Sequence, residues 1–556
     1  MDYNKLADLL FPDVTKLPAD VEAEFPARQL PEGAKVTRLA PSPTGFMHFG
    51  TLFPALVNER LAHQSGGVFY LRIEDTDSKR EVEGAEFDLI NTLAYYKMDF
   101  DEGVSLDGDN GVYGPYHQSK RAQFYHVFAK QLVREGRAYP CFTTKEELEA
   151  LNSVDKKTEN KTKDWEAEAE AARAAMMEQR NITIEEVENH LKEGNPFVLR
   201  ILSDGDGEKK VFCTDLVKGK LEMPENDEDF VLLKSDGIPT YHFAHAVDDH
   251  LMGTTHVIRG YEWLHSLPKH LQLFRYLGFK APKYMHIAPL MKMDGTSKKK
   301  LSKRDMGAAV SDYKTMGYPP ETVIEYVLTL LNSNFEDWRR ANPAADWTEF
   351  PFNIKKMSVS GALFDFDKLN DVSKNVISKM TADQVYDGVL EWAECENKEF
   401  AENLKANPEF AKRIFSIGRG GNKPRKDLTT WADAPAYMGF FYDDMFKIVD
   451  EYPDNFDKND IKKALELFCA SYNVADTQQE WFDKIKAVAE EIGFASDMKA
   501  YKADPAAFKG NVSDVSMFLR VAVTGKMNSP DMYEVMSILG YDKVIERINA
   551  MIKELN

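Results

Sequence analysis

Hydrophobic positions along the chain change their spacing several times, and each change marks a predicted element. Lys35 to Leu39 is a short strand-like stretch that runs into the turn Pro41-Ser42-Pro43-Thr44-Gly45, after which Thr51 to Gln64 reads as a helix. Pro54 is tolerable in that helix because it falls in the first turn, where its missing N–H costs nothing. Gly66-Gly67 supplies a stop, and Val68 to Ile73 is an apolar run of strand formers, so the segment predicts a βαβ unit. Buried strands alternating with helices favour a parallel sheet with ligands at the strands' carboxyl ends. That geometry places Pro41 to His48 and Glu74 to Asp77 at one crevice.

The pattern breaks between about Tyr113 and Asn226, where a charged, Ala- and Glu-rich helical run (Asp155 to Arg180) is followed by strand-like pieces such as Phe197 to Ile201. This reads as an inserted domain. Alternation of strand and helix resumes at Phe230-Val231-Leu232-Leu233 and continues to about Leu290, which predicts that the first sheet is completed there. Beyond about Phe352 amphipathic helices dominate, for example Asp460 to Tyr472 and Met532 to Leu539.

A chain of 556 residues exceeds one hydrophobic core and implies about three to five domains. With 43% hydrophobic and 29% charged residues it has the composition of a folded globular protein. No run approaches the ~20 apolar residues of a membrane span, and Met1 to Ala27 lacks a signal-peptide core, so a cytoplasmic location without membrane association is expected. The four cysteines, Cys141, Cys213, Cys395 and Cys469, are too far apart for a C-x-x-C pair or a disulfide framework. A net charge of −21 argues against a protein that coats nucleic acid non-specifically, so any RNA contact must use local basic patches.

Two segments carry chemistry. Ala40 to Thr51 is a turn that opens a helix with His48 at its start, where unpaired backbone N–H groups and the helix dipole favour an anion such as a nucleotide phosphate. Gly50 lets a flat base approach the backbone. The second segment is the turn Met293-Asp294-Gly295 followed by Lys298-Lys299-Lys300-Leu301-Ser302-Lys303-Arg304. Five cations in seven residues repel one another unless an anion joins them. A basic loop suits a pyrophosphate leaving group, on which charge builds in the transition state. Taken alone, such a run is more often a solvated surface.

Together, one after the first strand and one after the last, these segments resemble the two signatures of class I aminoacyl-tRNA synthetases, here His48-Phe49-Gly50-Thr51 and Lys300-Leu301-Ser302-Lys303-Arg304. Arg38-Leu39-Ala40-Pro41-Ser42-Pro43-Thr44-Gly45, Leu71-Arg72-Ile73-Glu74-Asp75-Thr76-Asp77, Asp248-Asp249-His250-Leu251-Met252-Gly253 and Val257-Ile258-Arg259-Gly260-Tyr261-Glu262-Trp263-Leu264 narrow the resemblance to bacterial-type glutamyl-tRNA synthetases. Phe518 to Lys526 extends it to the C-terminal region. Thr51 replaces the class-wide second histidine, as is common in glutamyl enzymes.

The resemblance implies a multidomain α/β fold: a split Rossmann-type parallel-sheet catalytic domain, an inserted α+β acceptor-binding domain and an all-α anticodon-binding region. The expected boundaries are residues 1–112 and 227–297 for the catalytic halves, 113–226 for the insert, 298–352 for the signature loop and stem-contact domain, and 353–556 for the helical region. It implies ATP-dependent activation of L-glutamate and transfer to the 3′ end of tRNA(Glu).

Arg38, Ala40, Ser42, Glu74, Tyr241 and Arg259 are the implied glutamate-binding set. The guanidinium forks of Arg38 and Arg259 suit a carboxylate, and Glu74 suits the substrate ammonium. His48, Gly50, Glu262, Met291 and Lys303 are the implied ATP set, with His48, Lys300 and Lys303 catalytic. Magnesium is implied with the ATP phosphates and no all-protein cage is legible. Ala138-Tyr139-Pro140-Cys141 has one cysteine where zinc-binding relatives carry two, so no zinc is expected.

Asparagine is frequent in the family where this chain has His245, and the hydrogen bonding around Tyr241 is left open. So is charging of tRNA(Gln). A monomer is expected. The loop Gly418 to Lys426 combines cations and glycines and suits either an anticodon-arm contact or a solvated turn. No G-x-G-x-x-G follows a strand, and Gly525-Lys526 lacks the upstream glycine of a P-loop. A short base-modifying paralogue is opposed by the long helical region, a catalytically silent one by the intact signatures, and a glutaminyl synthetase by Pro41-Ser42-Pro43-Thr44-Gly45 in the first loop.

Overall fold

The computed structural model describes residues 1–77, 80–143, 178–301, 309–421 and 423–555. In chain order its strands are β1 Val36–Leu39, β2 Val68–Leu71, β3 Glu102–Ser105, β4 Gly108–Asn110, β5 Ala138–Cys141, β6 Val198–Ile201, β7 Lys210–Asp215, β8 Gly219–Pro224, β9 Val231–Leu233, β10 His256–Gly260, β11 Lys283–Ile287, β12 Leu290–Asp294, β13 Ser297–Lys300 and β14 Ala362–Leu363. The chain divides into two compact units, residues 1–311 with 327–364, and residues 312–326 with 365–556.

In the first unit β1 pairs in parallel with β2, and β2 with β3. Further along, β10 pairs in parallel with β11, and β11 with β7 at Tyr284 and Asp215. Val36 joins the two halves: its N–H donates to Thr255 Oγ1 at 2.8 Å and its carbonyl accepts from the Thr255 N–H at 3.0 Å. All four residues of β1 are buried, as in a parallel strand packed on both faces. The carboxyl ends of β1, β2 and β10 therefore open side by side.

The expected return of the sheet at Phe230 to Leu233 is corrected. β9 pairs antiparallel with β6, which pairs antiparallel with β5, in a separate small sheet, and the parallel sheet resumes only at β10. A short apolar run reports burial but not which sheet buries it. Conversely β7, inside the segment read as the insert, adds to the parallel sheet beside β11. Most of the Asp155 to Arg180 run lies outside the described residues.

The helix expected from Thr51 begins two residues earlier, at Phe49, and runs to His63, with His48 as its N-cap residue. Pro54 thus sits in the second turn rather than the first. It cannot donate to the Gly50 carbonyl, which is left without the usual helical partner.

Helices Tyr3–Leu10 and Pro18–Glu24 pack their buried Leu6, Ala7, Leu10 and Val21 into the core that includes Tyr125, Phe128 and Leu132 of helix Ala122–Arg134. Lys130 Nζ fastens them, donating to the carbonyls of Phe11 and Val14 at 2.9 Å each. Arg28 makes a two-pronged contact with Glu102, 2.8 Å on each prong. The N-terminal extension is therefore part of this unit's core.

The second unit is helical. Helices Ala382–Glu396, Lys458–Ser471, Gln478–Glu491, Val512–Thr524 and Tyr541–Glu554 surround one core that includes Val389, Trp431, Phe468, Ile485, Phe518 and Ile548. Gly388 lies mid-helix because the Trp431 ring lies against it: a Cβ there would stand 2.6 Å from Trp431 Cζ2. Within the Gly418 to Lys426 loop, Arg419 donates to the carbonyls of Phe415 and Ile377 at 2.6 Å each, and Arg425 pairs with Asp427 at 2.7 Å. Two of its cations are thus committed to the fold.

Candidate active site

The loops that follow β1, β2 and β10 enclose a cavity of about 280 Å³. Arg38, Ala40, Ser42, His48, Gly50, Glu74, Tyr241, Arg259 and Glu262 all line it, together with Trp263. A second cavity of about 390 Å³ adjoins it through His48, Gly50, Pro54, Gly260 and Glu262, and extends to Pro289, Leu290 and Lys300. The residues of the implied glutamate set thus line the first cavity, while His48, Gly50 and Glu262 stand where the two meet.

Backbone hydrogen bonds hold the two motif loops together. The Arg72 N–H donates to the Leu39 carbonyl at 3.0 Å and the Glu74 N–H to the Pro41 carbonyl at 2.9 Å, so the expected crevice brings the loop Pro41 to His48 together with Glu74, while Asp75 to Asp77 lie outside its lining. The His48 ring packs close to Gly50: a Cβ at residue 50 would approach the imidazole to 3.0 Å. A side chain there would displace the ring from the cavity wall.

Beneath the loops lies a buried charge network. Arg38 Nε donates to both oxygens of Asp249 at 3.2 Å, and Arg72 donates to Asp249 Oδ1 at 2.7 Å and to Glu74 Oε1 at 3.2 Å. Asp248, its neighbour, accepts from Arg121 Nε at 2.7 Å, Gln118 at 2.9 Å and Tyr125 at 2.8 Å. Burial alone would raise the Asp249 carboxyl, yet Arg38 and Arg72 hold it well below the ordinary carboxylate range. Glu74 goes the other way: burial lifts it above its ordinary value against the pull of Arg72 and Arg38.

Arg259 is held differently. It is 6% exposed, and among the described residues no carboxylate pairs with it. Its Nε donates to His286 Nε2 at 2.9 Å, and its Nη1 reaches Tyr241 Oη and His270 Nδ1 at 3.1 Å each. The guanidinium stands over the Tyr284 ring, 5.1 Å from its centre. Its Nη2 is buried and makes no hydrogen bond among the described residues.

His245 connects the two systems. Its ring stacks against Tyr241, with centres 5.8 Å apart and planes 15° from parallel. Its Nδ1 lies 2.7 Å from Asp249 Oδ2 and its Nε2 3.0 Å from the Tyr284 hydroxyl. Burial pushes its pKa down to about 4, so the imidazole is neutral at physiological pH.

The turn at Met293 to Gly295 is present, but Ser297–Lys300 is a strand rather than a loop. It forms a hairpin in which Met291 faces Lys300 and Lys292 faces Lys299. The Met291 carbonyl accepts from the Phe364 N–H at 2.8 Å and Leu290 accepts from Leu301, which fixes this wall of the second cavity. Lys300 Nζ lies 3.5 Å from Glu262 Oε2, both exposed. Lys303 lies outside the described residues.

The sequence placed Trp263 in a motif without a site role, though its ring is 4.4 Å from Tyr241, and did not single out Asp215, His270 and His286 around Arg259. Among the described residues no three His, Cys, Asp or Glu side chains are grouped so as to hold a metal ion, and no helix is long and apolar enough to cross a membrane.

Residues 35–371 match the family of class I tRNA synthetases (E and Q), catalytic domain, and residues 399–552 match the anticodon binding domain. A glutamate–tRNA ligase of Acetivibrio thermocellus is 49% identical, covering 99% of this chain and 100% of the relative. This chain belongs to the glutamate–tRNA ligase family. It is an aminoacyl-tRNA ligase, with the class I catalytic domain joined to a largely helical anticodon-binding domain. The glutamate–tRNA ligase of Clostridium perfringens strain 13 is 48% identical over the same 99% and 100% shares. A crystal structure of a glutamate–tRNA ligase from Elizabethkingia meningosepticum, in complex with its amino acid, superposes with a TM-score of 0.71 at 27% identity, covering 94% of this chain and 100% of that one.

Proposed function

We propose that this ligase activates L-glutamate with ATP to glutamyl-adenylate in the paired cavities and passes the acyl group to the 3′ end of tRNA(Glu). The observation that carries the glutamate reading is Arg259, a buried cation lining the first cavity with neutral partners and a spare Nη2. A guanidinium without a carboxylate is poorly compensated, and the substrate's side-chain carboxylate supplies the missing charge. Glutamine presents a neutral amide there and cannot.

In this reading Arg38, Ala40, Ser42 and Tyr241 complete the glutamate pocket, and Glu74 takes the ammonium group, away from its carboxylate end. His48 and Gly50 border the phosphates at the helix N-terminus, and Glu262 and the backbone at Met291 hold ribose and adenine. The α-carboxylate attacks the α-phosphorus, the bond to the bridging oxygen breaks, and the leaving pyrophosphate is stabilised by Lys300 and Lys303. Catalysis is positioning and charge stabilisation. Magnesium is proposed to arrive bound to the ATP phosphates, as part of the substrate.

The insert at 113–226 and the stretch 298–352 would meet the acceptor stem and 353–556 the anticodon arm, with 1–112 and 227–297 as the catalytic halves. The enzyme would work as a cytoplasmic monomer. Aminoacylation with labelled glutamate, ATP, magnesium and purified tRNA(Glu) or tRNA(Gln) tests the proposal, with labelled glutamine as control. Charging of tRNA(Glu) by glutamate supports it, charging of both tRNAs adds tRNA(Gln) as a substrate, and charging by glutamine alone overturns the role of Arg259.

A further inference from the structure

Hydrogen bonding around Arg259 leaves no freedom of tautomer. A guanidinium only donates, so His286 Nε2 and His270 Nδ1 must both be acceptors. His286 then carries its proton on Nδ1, 2.8 Å from Asp215 Oδ2, an oxygen that also accepts the His286 backbone N–H at 2.9 Å. The other end of Asp215 is fixed as well, because Oδ1 accepts from the N–H groups of Val217 and Lys218 at 2.9 and 2.8 Å. On the opposite side His270 carries its proton on Nε2, directed at His242 Nδ1 at 2.9 Å. Asp215 and His286 are on the adjoining strands β7 and β11, and both are buried.

We propose that Asp215 and His286 are positioning residues that lock the Arg259 side chain in the rotamer in which it lines the first cavity, and that they thereby set the discrimination of glutamate from glutamine. The inference rests on the reading of Arg259 as the carboxylate ligand. Two properties favour this role over plain packing. The imidazole is interposed between carboxylate and guanidinium, so Asp215 orients Arg259 without pairing with it and cancelling its charge. An aspartate in direct contact would take the place intended for the substrate carboxylate. The acceptor lies on Nε, the one guanidinium nitrogen whose bond fixes the plane of the fork, which leaves the terminal nitrogens to Tyr241, His270 and the ligand.

The test compares His286→Gln with His286→Asn. Glutamine can set its amide oxygen near the Nε2 position and keep the bond to Arg259. Asparagine keeps a donor for Asp215 but withdraws the acceptor from Arg259. Aminoacylation of tRNA(Glu) is measured across glutamate and ATP concentrations, with glutamine as competing substrate and thermal unfolding as a check on folding. His286→Asn is expected to raise the glutamate KM about tenfold or more, move the ATP KM less than threefold and narrow the glutamate-to-glutamine preference, while His286→Gln stays near the parent. Equal behaviour of the two variants, or a parallel rise in both KM values, overturns the proposal. Arg259→Lys separates the two layers: an unchanged glutamate KM there removes the carboxylate-ligand reading itself, whereas a raised KM there with a silent His286→Asn removes only the positioning role.

Discussion

Arg38 and Arg259 reach the same cavity from strands β1 and β10, but only Arg38 has a carboxylate partner, Asp249, at 3.2 Å. The two substitutions should therefore part company. Arg38→Gln strips a buried carboxylate of one of its cations and is expected to cost about 3 kcal/mol of stability, because a broken buried pair leaves an uncompensated charge. Arg259→Gln removes a cation that has no carboxylate, and its amide can still donate to the imidazoles, so denaturant unfolding should show a smaller loss. Its glutamate KM should rise about a hundredfold. A larger stability loss for Arg259→Gln than for Arg38→Gln would contradict this charge assignment.

Glu74 gives the complementary case. Its carboxylate accepts from Arg72, which Asp249 also holds, so Glu74→Gln keeps Arg72 paired and should fold. The amide cannot hold an ammonium group as a carboxylate does. The kcat/KM for glutamate is expected to fall about a hundredfold with an unaltered ATP KM, measured by initial aminoacylation rates.

Lys300 and Glu262 form an exposed pair at 3.5 Å, a type of contact worth less than about 1 kcal/mol to the fold. Lys300→Ala should leave the melting temperature unchanged to within a degree or two and lower kcat at least tenfold. A drop in melting temperature with full activity would mark Lys300 as a structural cation.

His245 predicts a pH dependence. Its pKa is about 4 in the folded chain against about 6.5 when exposed, so below pH 6.5 the unfolded chain binds the extra proton first. Stability is unaffected above pH 6.5, falls as the pH drops towards 4, and loses about 3 kcal/mol from this group by the lower end. His242, His256, His270 and His286 are also pushed down by burial and add to the same limb, so His245→Asn, which cannot titrate, should make it shallower without removing it in denaturant titrations at pH 7, 5.5 and 4.5. An identical slope in both proteins would place the acid sensitivity elsewhere.

Much of the first cavity was legible in the chain because its residues sit in loops whose prolines, glycines and flanking strands are local signals. Pro41 to His48 and Glu74 meet as the βαβ pattern requires. What surrounds Arg259 was not legible. Asp215 and His286 are 71 residues apart, and His270 belongs to a helix whose period does not distinguish a ligand of Arg259 from any other buried residue. The fate of Phe230 to Leu233 failed for a related reason: β9 is short and apolar, and only its pairing with β6 shows that it belongs to another sheet than β10. The hydrogen bonding of His245 likewise needed Tyr284, 39 residues on in β11.

The bond between Val36 and Thr255 spans 219 residues, which sets a schedule for synthesis. At about 5–20 residues per second a ribosome needs roughly 10–45 s to deliver Thr255 after Val36 has emerged. Through that interval the outer edge of β1 is bare, an unpaired row of backbone donors and acceptors of the kind that recruits stray strands. The nascent catalytic domain is thus most exposed to misassociation while the insert is being made.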